Sequence, residues 1–495
     1  MQIEFLLLII SILFFASIIV SKASSRFGVP VLLLFLGVGM LFGVDGFGIQ
    51  FDSIRVAQVI GTVALCIILF SGGMDTKLED VKPVVGPGVM LATIGVLITA
   101  FVTGFIIWGI MDKTSIGTNI GLLSSLLLAA TISSTDSASV FSILRSKGLH
   151  LKNRLKPTLE LESGSNDPMA YVLTITLISL VNQGGNPQYL PAIMNLVVQL
   201  AVGAAAGYCL GKGLVWLINR LKIENESLYP ILVLSSCIFI FAVTYFMRGN
   251  SYLAVYIGGL VFGNSKFVHK RSTRNFFDGI SWLGQLVMFL TLGLLVTPSE
   301  LNWKHVILPG LIISLVMIFI SRPIAVLVSL LPFKQYHYRD KVFVSWCGLR
   351  GAVPIIFAIL CRAEEVPHAD IIFNIVFFCT LVSLILQGTT LPLMARWLHV
   401  EDTAPKENKV ESFDIDFPEE IKSATSEIEM TKHILSHGNL LMDLRMPEKT
   451  LAIMVKRGDN YFVPTGKTRL HEGDKLMVIT DNNEALEQTL HELSE

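Results

Sequence analysis

Three strings of polar residues interrupt otherwise apolar stretches of the chain. The first is Thr131-Ile132-Ser133-Ser134-Thr135-Asp136-Ser137-Ala138-Ser139, in which seven of nine residues are polar. The second is Glu160-Leu161-Glu162-Ser163-Gly164-Ser165-Asn166-Asp167-Pro168. On a helix, Asn166 and Asp167 lie three and four residues on from Ser163, so the three share a face. Carboxylate, hydroxyl and amide oxygens are hard ligands suited to a small cation. A carboxyl group in low dielectric favours its protonated form, and a bound cation favours the ionised one. Asp167 can then hold a proton or a metal ion but not both well, which is the chemistry of exchange. A protonated aspartate of purely structural role is the plainer alternative. The third string is Gly348-Leu349-Arg350-Gly351-Ala352-Val353-Pro354. Arg350 keeps its charge and needs a buried partner unless it reaches the surface. Glu162 is the candidate partner, in a structural ion pair whose disruption strands a charge at a typical cost of about 3–5 kcal/mol.

These groups must be positioned by elements that cross a membrane. Of 495 residues, 52% are hydrophobic and only 16% charged, with a mean hydropathy of +0.63. Ordinary soluble domains carry roughly 25% charged residues. A net charge of −1 gives no footprint for nucleic acid. The six cysteines lie in or beside apolar stretches with no CxxC pair, and read as small core residues rather than disulfides or metal ligands.

A helix needs about 20 apolar residues to cross a bilayer, and about thirteen stretches before residue 400 qualify. The three strings fall in the fifth (119–145), sixth (157–182) and twelfth (339–362); the tenth is expected at 279–298. The first stretch lacks a basic leader and a cleavage site and reads as a retained span. Lysine and arginine divide about eighteen to five between odd and even loops. Basic residues collect in cytoplasmic loops, which places the N-terminus outside and the C-terminus in the cytoplasm.

Hydroxyls loosen helices by competing for backbone hydrogen bonds. Irregular backbone at membrane depth survives where it is buried in protein or lines a cavity. A hydroxyl-rich packing interface would explain the serines of the fifth span but not Asp136. The interrupted spans, five and twelve, lie in opposite halves of the chain, which is the pattern of a transporter site between inverted repeats.

After His399 the composition changes. Residues 401–425 form a polar linker, and 426–495 read as a compact α+β domain. Its short runs are Leu440–Leu444, Leu451–Lys456, Tyr461–Pro464 and Lys475–Thr480, with turns at Arg457–Asn460 and Glu472–Asp474 and a terminal helix at Asn483–Leu493.

At Thr135-Asp136, at Glu162–Asp167 and at Gly348–Gly351, residues 1 to about 400 resemble the monovalent cation/proton antiporters of the NhaP/NHE type. The resemblance implies an all-α polytopic homodimer of about thirteen helices, with inverted repeats, two crossed discontinuous helices and an elevator-like movement. It implies cation and proton binding by Asp167, Asp136, Ser163 and the Thr135 backbone, with Asn166 ordering the site and Glu162–Arg350 as the internal ion pair. The transported K+ or Na+ would sit at Asp167, Asp136, Ser163 and Thr135. Ser137 stands where such proteins commonly carry proline. The amide of Asn166 replaces one of two adjacent carboxylates of electrogenic relatives, which favours electroneutral exchange.

The tail resembles the C-terminal half of an RCK-type regulator, a module that pairs and binds small ligands, in some cases cyclic dinucleotides. Such tails accompany potassium systems. The expectation is therefore a potassium/proton antiporter of the cytoplasmic membrane, not an enzyme, serving pH and volume control and regulated through a nucleotide-type ligand on its tail. Lipid and a second copy are its expected partners. Sodium/proton exchange on the same fold is the nearest alternative. A ligand-gated potassium channel would need a filter that is not found. An intramembrane hydrolase would need an HExxH pair or a GxSxG turn, and neither occurs.

Overall fold

The computed structural model describes residues 3–27, 30–113, 120–152, 154–184, 187–221, 223–402, 411–412, 424–431, 434–435, 438–444, 446–447, 450–458 and 460–480. It divides into two units, Met1–Asp402 and Thr403–Glu495.

The first unit is helical. Its described residues make thirteen spans when interrupted helices are counted once, and seven helices are long and apolar enough to cross a membrane by length and composition. The first three spans are Ile3–Phe27, Val31–Phe42 and Ile54–Asp75. The fourth, Leu78–Met111, and the eleventh, Trp303–Ser329, each contain π-helical turns, at Leu91–Gly95, Trp303–Ile307 and Met317–Ser321. The sixth is one helix, Leu155–Asn182, that continues past Pro168. Spans seven to ten are Tyr189–Arg220, Leu228–Phe246, Ser251–Gly263 and Lys270–Leu295, and Ala369–Trp397 is the last.

The tenth span starts nine residues before its expected position, because its first turns are polar and carry their own partners. Arg274 pairs with Asp75 at 2.7 Å, and Lys270 Nζ donates to Ser265 O at 3.1 Å. Close packing between spans uses glycine: a Cβ on Gly259 would lie 2.2 Å from Phe70 O of the third span.

Two spans are broken, as the sequence predicts. The fifth consists of Leu122–Thr131 and Ser137–Ser146, the twelfth of Tyr338–Trp346 and Val353–Ala363. In the fifth, the Thr131 and Ser133 hydroxyls donate back to Leu128 O and Ala130 O, each at 2.7 Å, where the helix ends. Asp136 caps the second half by accepting from Ser139 N at 3.0 Å. In the twelfth, Pro354 falls in the first turn of the second half, where its missing N–H costs no helical bond. The two breaks meet, and Asp136 N donates to Leu349 O at 2.8 Å.

The second unit holds a five-stranded antiparallel sheet. In chain order its strands are β1 (Glu411–Ser412), β2 (Ala424–Glu429), β3 (Thr450–Arg457), β4 (Asn460–Phe462) and β5 (Lys475–Thr480), arranged β1-β2-β5-β3-β4. Ile428, Val455, Leu470, Leu476 and Val478 form its core. Gly458 takes φ +58° in the turn between β3 and β4, and Gly473 φ +84° before β5, both left-handed conformations that favour glycine. The run Leu440–Leu444 is not extended. It contains a single 3-10 turn, Leu441–Asp443, in which the Asp443 side chain accepts from Leu440 N at 3.2 Å. The expected helix at Asn483–Leu493 and most of the linker lie outside the described residues.

Arg457 grips Asp474 with two hydrogen bonds, Nε to Oδ1 at 2.8 Å and Nη2 to Oδ2 at 2.7 Å. The guanidinium holds the Asp474 carboxyl below the usual aspartate range, and His471 N adds a third bond at 2.8 Å.

Candidate functional site

The break of the fifth span packs against the middle of the sixth. Ser163 Oγ donates to Thr135 O at 3.0 Å, and Ser137 N donates to Ser163 Oγ at 3.0 Å. Asn166, fully buried, donates through Nδ2 to Thr135 Oγ1 and, at 3.5 Å, to Thr135 O. The Ser134 hydroxyl donates to Asp167 Oδ1, and the Ser139 hydroxyl to Asp136 Oδ2. Thus Asp167, Asp136, Ser163, Thr135 and Asn166 are brought together. Thr135 O and its hydroxyl are occupied by Ser163 and Asn166 in this conformation.

A cavity of about 760 Å³ reaches Asp136, Ser163 and Asp167 at one end. Towards the other it is lined by Asp75, Arg145, Lys156, Glu160, Arg274 and Asp278. Lys156, Arg274 and Asp75 are all well exposed, so this end is its mouth. The mouth lies at the end of the third and fifth spans and the start of the sixth and tenth, which is the face of the odd loops.

The twelfth span closes the site from behind. Arg350 is buried, and its Nη1 donates to both Ser133 O and Ser134 O. Its backbone N donates to Ser383 Oγ at 3.0 Å. Ser383 in turn donates to Gln387 Oε1 at 2.6 Å, and Gln387 Nε2 donates to Trp346 O at 2.9 Å. A Cβ at Gly351 would come 2.4 Å from Asp136 Oδ2, so glycine there makes room for the carboxylate.

The expected Glu162–Arg350 ion pair is not what forms. Glu162 Oε1 lies 2.5 Å from Arg322 Nη2 of the eleventh span, and both side chains are at most 3% exposed. Carbonyls at the end of a helix lack intrahelical donors and carry partial negative charge. They draw the Arg350 guanidinium to the fifth span, and Arg322 neutralises Glu162. Gly348 makes room for this pair, since a Cβ there would lie 2.8 Å from Arg322 Nε.

The sequence marks Arg322-Pro323 and Gln387-Gly388 only as places for kinks or packing, and it gives no individual role to Ser134 or Ser139. The signal for Arg322 was its position: a lone arginine deep in an apolar span is a functional candidate by default.

A cavity that ends on two carboxylates where two broken helices cross defines a secondary transporter of the inverted-repeat class. The profile of the family described as "Sodium/hydrogen exchanger, transmembrane" matches residues 10–397, and the chain belongs to that family. It is 44% identical over 403 residues to the K(+)/H(+) antiporter NhaP of Alkalimonas amylolytica, covering 81% of this chain and 68% of that protein. It is 40% identical over 472 residues to the K(+)/H(+) antiporter NhaP2 of Shewanella baltica, covering 94% and 78%. Among solved structures, the sodium proton antiporter MjNhaP1 from Methanocaldococcus jannaschii at pH 8 shares the fold. The TM-score is 0.66 at 24% identity, over 79% of this chain and 99% of that one.

Proposed function

We propose that this protein exchanges potassium for protons across the cytoplasmic membrane, one for one, with Asp167 swapping proton for cation. The observation that carries the reading is the cavity ending on Asp167, Asp136 and Ser163, with their oxygens as the ligands available to an ion. Thr135, whose backbone oxygen is engaged by Ser163 and Asn166 in this conformation, joins the ligand set when those bonds open, and Asn166 orders it until then. The choice of potassium rests on relatives at 40–44% identity that carry potassium in their names. Sodium is the second reading, favoured by the name of the solved structural neighbour.

The loop charges put the N-terminus outside and the C-terminus in the cytoplasm. With that orientation the cavity faces the cytoplasm. Alternating access then requires a second arrangement in which Asp167 meets the other side, reached by an elevator-like movement within a homodimer. Residues 1–400 carry transport, and the second unit, whose sheet already takes in Glu411–Ser412 and Ala424–Thr425 of the expected linker, is an RCK-like regulatory domain that binds a small, nucleotide-type ligand. Net flux controls pH and volume. The ion is tested by proton movement in everted vesicles titrated with potassium and with sodium. A lower half-saturating concentration for potassium supports the choice, and a response to sodium alone reverses it.

A further inference from the structure

Ser163 was expected as a cation ligand, yet its hydroxyl is already engaged on two sides. It gives its one hydrogen to Thr135 O and accepts the Ser137 N–H. A hydroxyl has one donor and two lone pairs, so a single lone pair remains for the cavity that Ser163 lines. Ser137 is the first residue of the helix Ser137–Ser146. Its N–H therefore has no intrahelical acceptor, and it is spent on Ser163.

We propose that the backbone amide of Ser137 sets the cation preference of the site by occupying the Ser163 hydroxyl. It rests on the reading of Asp167 and Ser163 as the ion site. A hydroxyl held by an N–H presents a weaker and more fixed field than one with both lone pairs free. Field strength at the ligand is one of the recognised sources of selection between potassium and sodium. A small cation gains most from a strong, close ligand, so an attenuated oxygen favours the larger and more weakly hydrated ion. The serine side chain plays no part; only the N–H does.

The local backbone makes this testable with little distortion. The first helical position suits proline, which lacks the N–H. The preceding residue must then be extended, and Asp136 already is, at φ −113° and ψ 97°. Ser137→Pro removes the amide proton in place, whereas Ser137→Ala keeps it.

The experiment compares half-saturating potassium and sodium concentrations for proton movement in vesicles holding the full-length protein. S137P is expected to shift the ratio towards sodium by roughly three- to tenfold, the weight of one hydrogen bond. S137A is expected to keep the wild-type ratio. Ser163→Ala, which removes the oxygen altogether, is expected to shift the ratio further towards potassium and carries the test should S137P not accumulate. An unchanged ratio in S137P, or in S163A where only that variant accumulates, overturns the inference while leaving the exchanger intact. A shift in S137A equal to that in S137P also overturns it, because the side chain would then be responsible. A wild-type protein inert to both ions overturns the function along with it.

Discussion

Glu162 of the sixth span, the residue before Ser163 of the cavity wall, and Arg322 of the eleventh form a buried ion pair, 2.5 Å apart. Taking one charge away leaves the other unpaired in low dielectric, at a typical cost of about 3–5 kcal/mol. Arg322→Ala and Glu162→Ala are each expected to lose most of the folded protein, measured as abundance in membranes and as detergent-solubilised monodisperse material. Replacing both together by apolar residues of similar volume is expected to restore abundance, because a well-packed apolar pair replaces an ion pair at little cost.

Arg350 does different work. Its guanidinium satisfies Ser133 O and Ser134 O, which the broken fifth span leaves without helical donors. Arg350→Ala leaves two buried carbonyls unpaired, at about 1–3 kcal/mol each. The expected result is a lower melting temperature of the purified protein and loss of transport in what remains folded. Normal stability with normal transport would remove Arg350 from this role.

Gly351 is a steric requirement of Asp136. Gly351→Ala places a methyl 2.4 Å from Oδ2 unless the carboxylate moves. The expected outcome is a protein that reaches the membrane in near-normal amount but exchanges at least about tenfold more slowly, the effect of roughly 1.4 kcal/mol at the site. Transport rates normalised to abundance check it.

Much of this site is legible from residue types. Seven polar residues in the nine from Thr131 to Ser139 cannot pack as an ordinary span, and the break appears there. The spacing of Gly348, Gly351 and Pro354 gives the second break, and the shared face of Ser163, Asn166 and Asp167 appears as contacts to the Thr135–Ser137 backbone and to Ser134. Pairing across the bundle is not legible. Spans eleven and twelve each offer one buried arginine, and spacing along a chain does not say which of them meets Glu162. That depended on the carbonyls of Ser133 and Ser134, whose demand for a donor exists only once the fifth span has broken. The start of the tenth span was missed for a related reason: Lys270 and Arg274 look like loop residues until their partners Ser265 and Asp75 are placed. In the tail, the turns at Gly458 and Gly473 follow from composition, whereas the 3-10 turn at Leu441–Asp443 replaces a run that reads as extended.

The tail carries its own pH dependence through Asp474. Its carboxyl is held below the ordinary range by Arg457. The stabilisation is therefore present above the ordinary aspartate value and is lost as pH falls below it through the lowered folded value. In the full-length protein the protection of the Thr450–Arg457 amides, their exchange taken relative to the intrinsic rate at each pH, is expected to fall as the medium is acidified. Asp474→Asn is expected to give faster exchange at neutral pH and to flatten the acid dependence.

One-for-one exchange moves no net charge. An imposed membrane potential, set without a permeant form of the transported cation, is expected to leave the rate of exchange unchanged. A rate that follows the potential would show that Asp136 or another group carries a second proton.

The most direct test of the central claim is proton movement in sealed everted vesicles, acid-loaded and then given potassium, with wild-type protein beside Asp167→Asn at equal abundance. The account predicts potassium-dependent alkalinisation of the lumen by the wild type and none by D167N. Equal alkalinisation by both would contradict it, because a carboxyl at residue 167 would then not be where proton and cation compete.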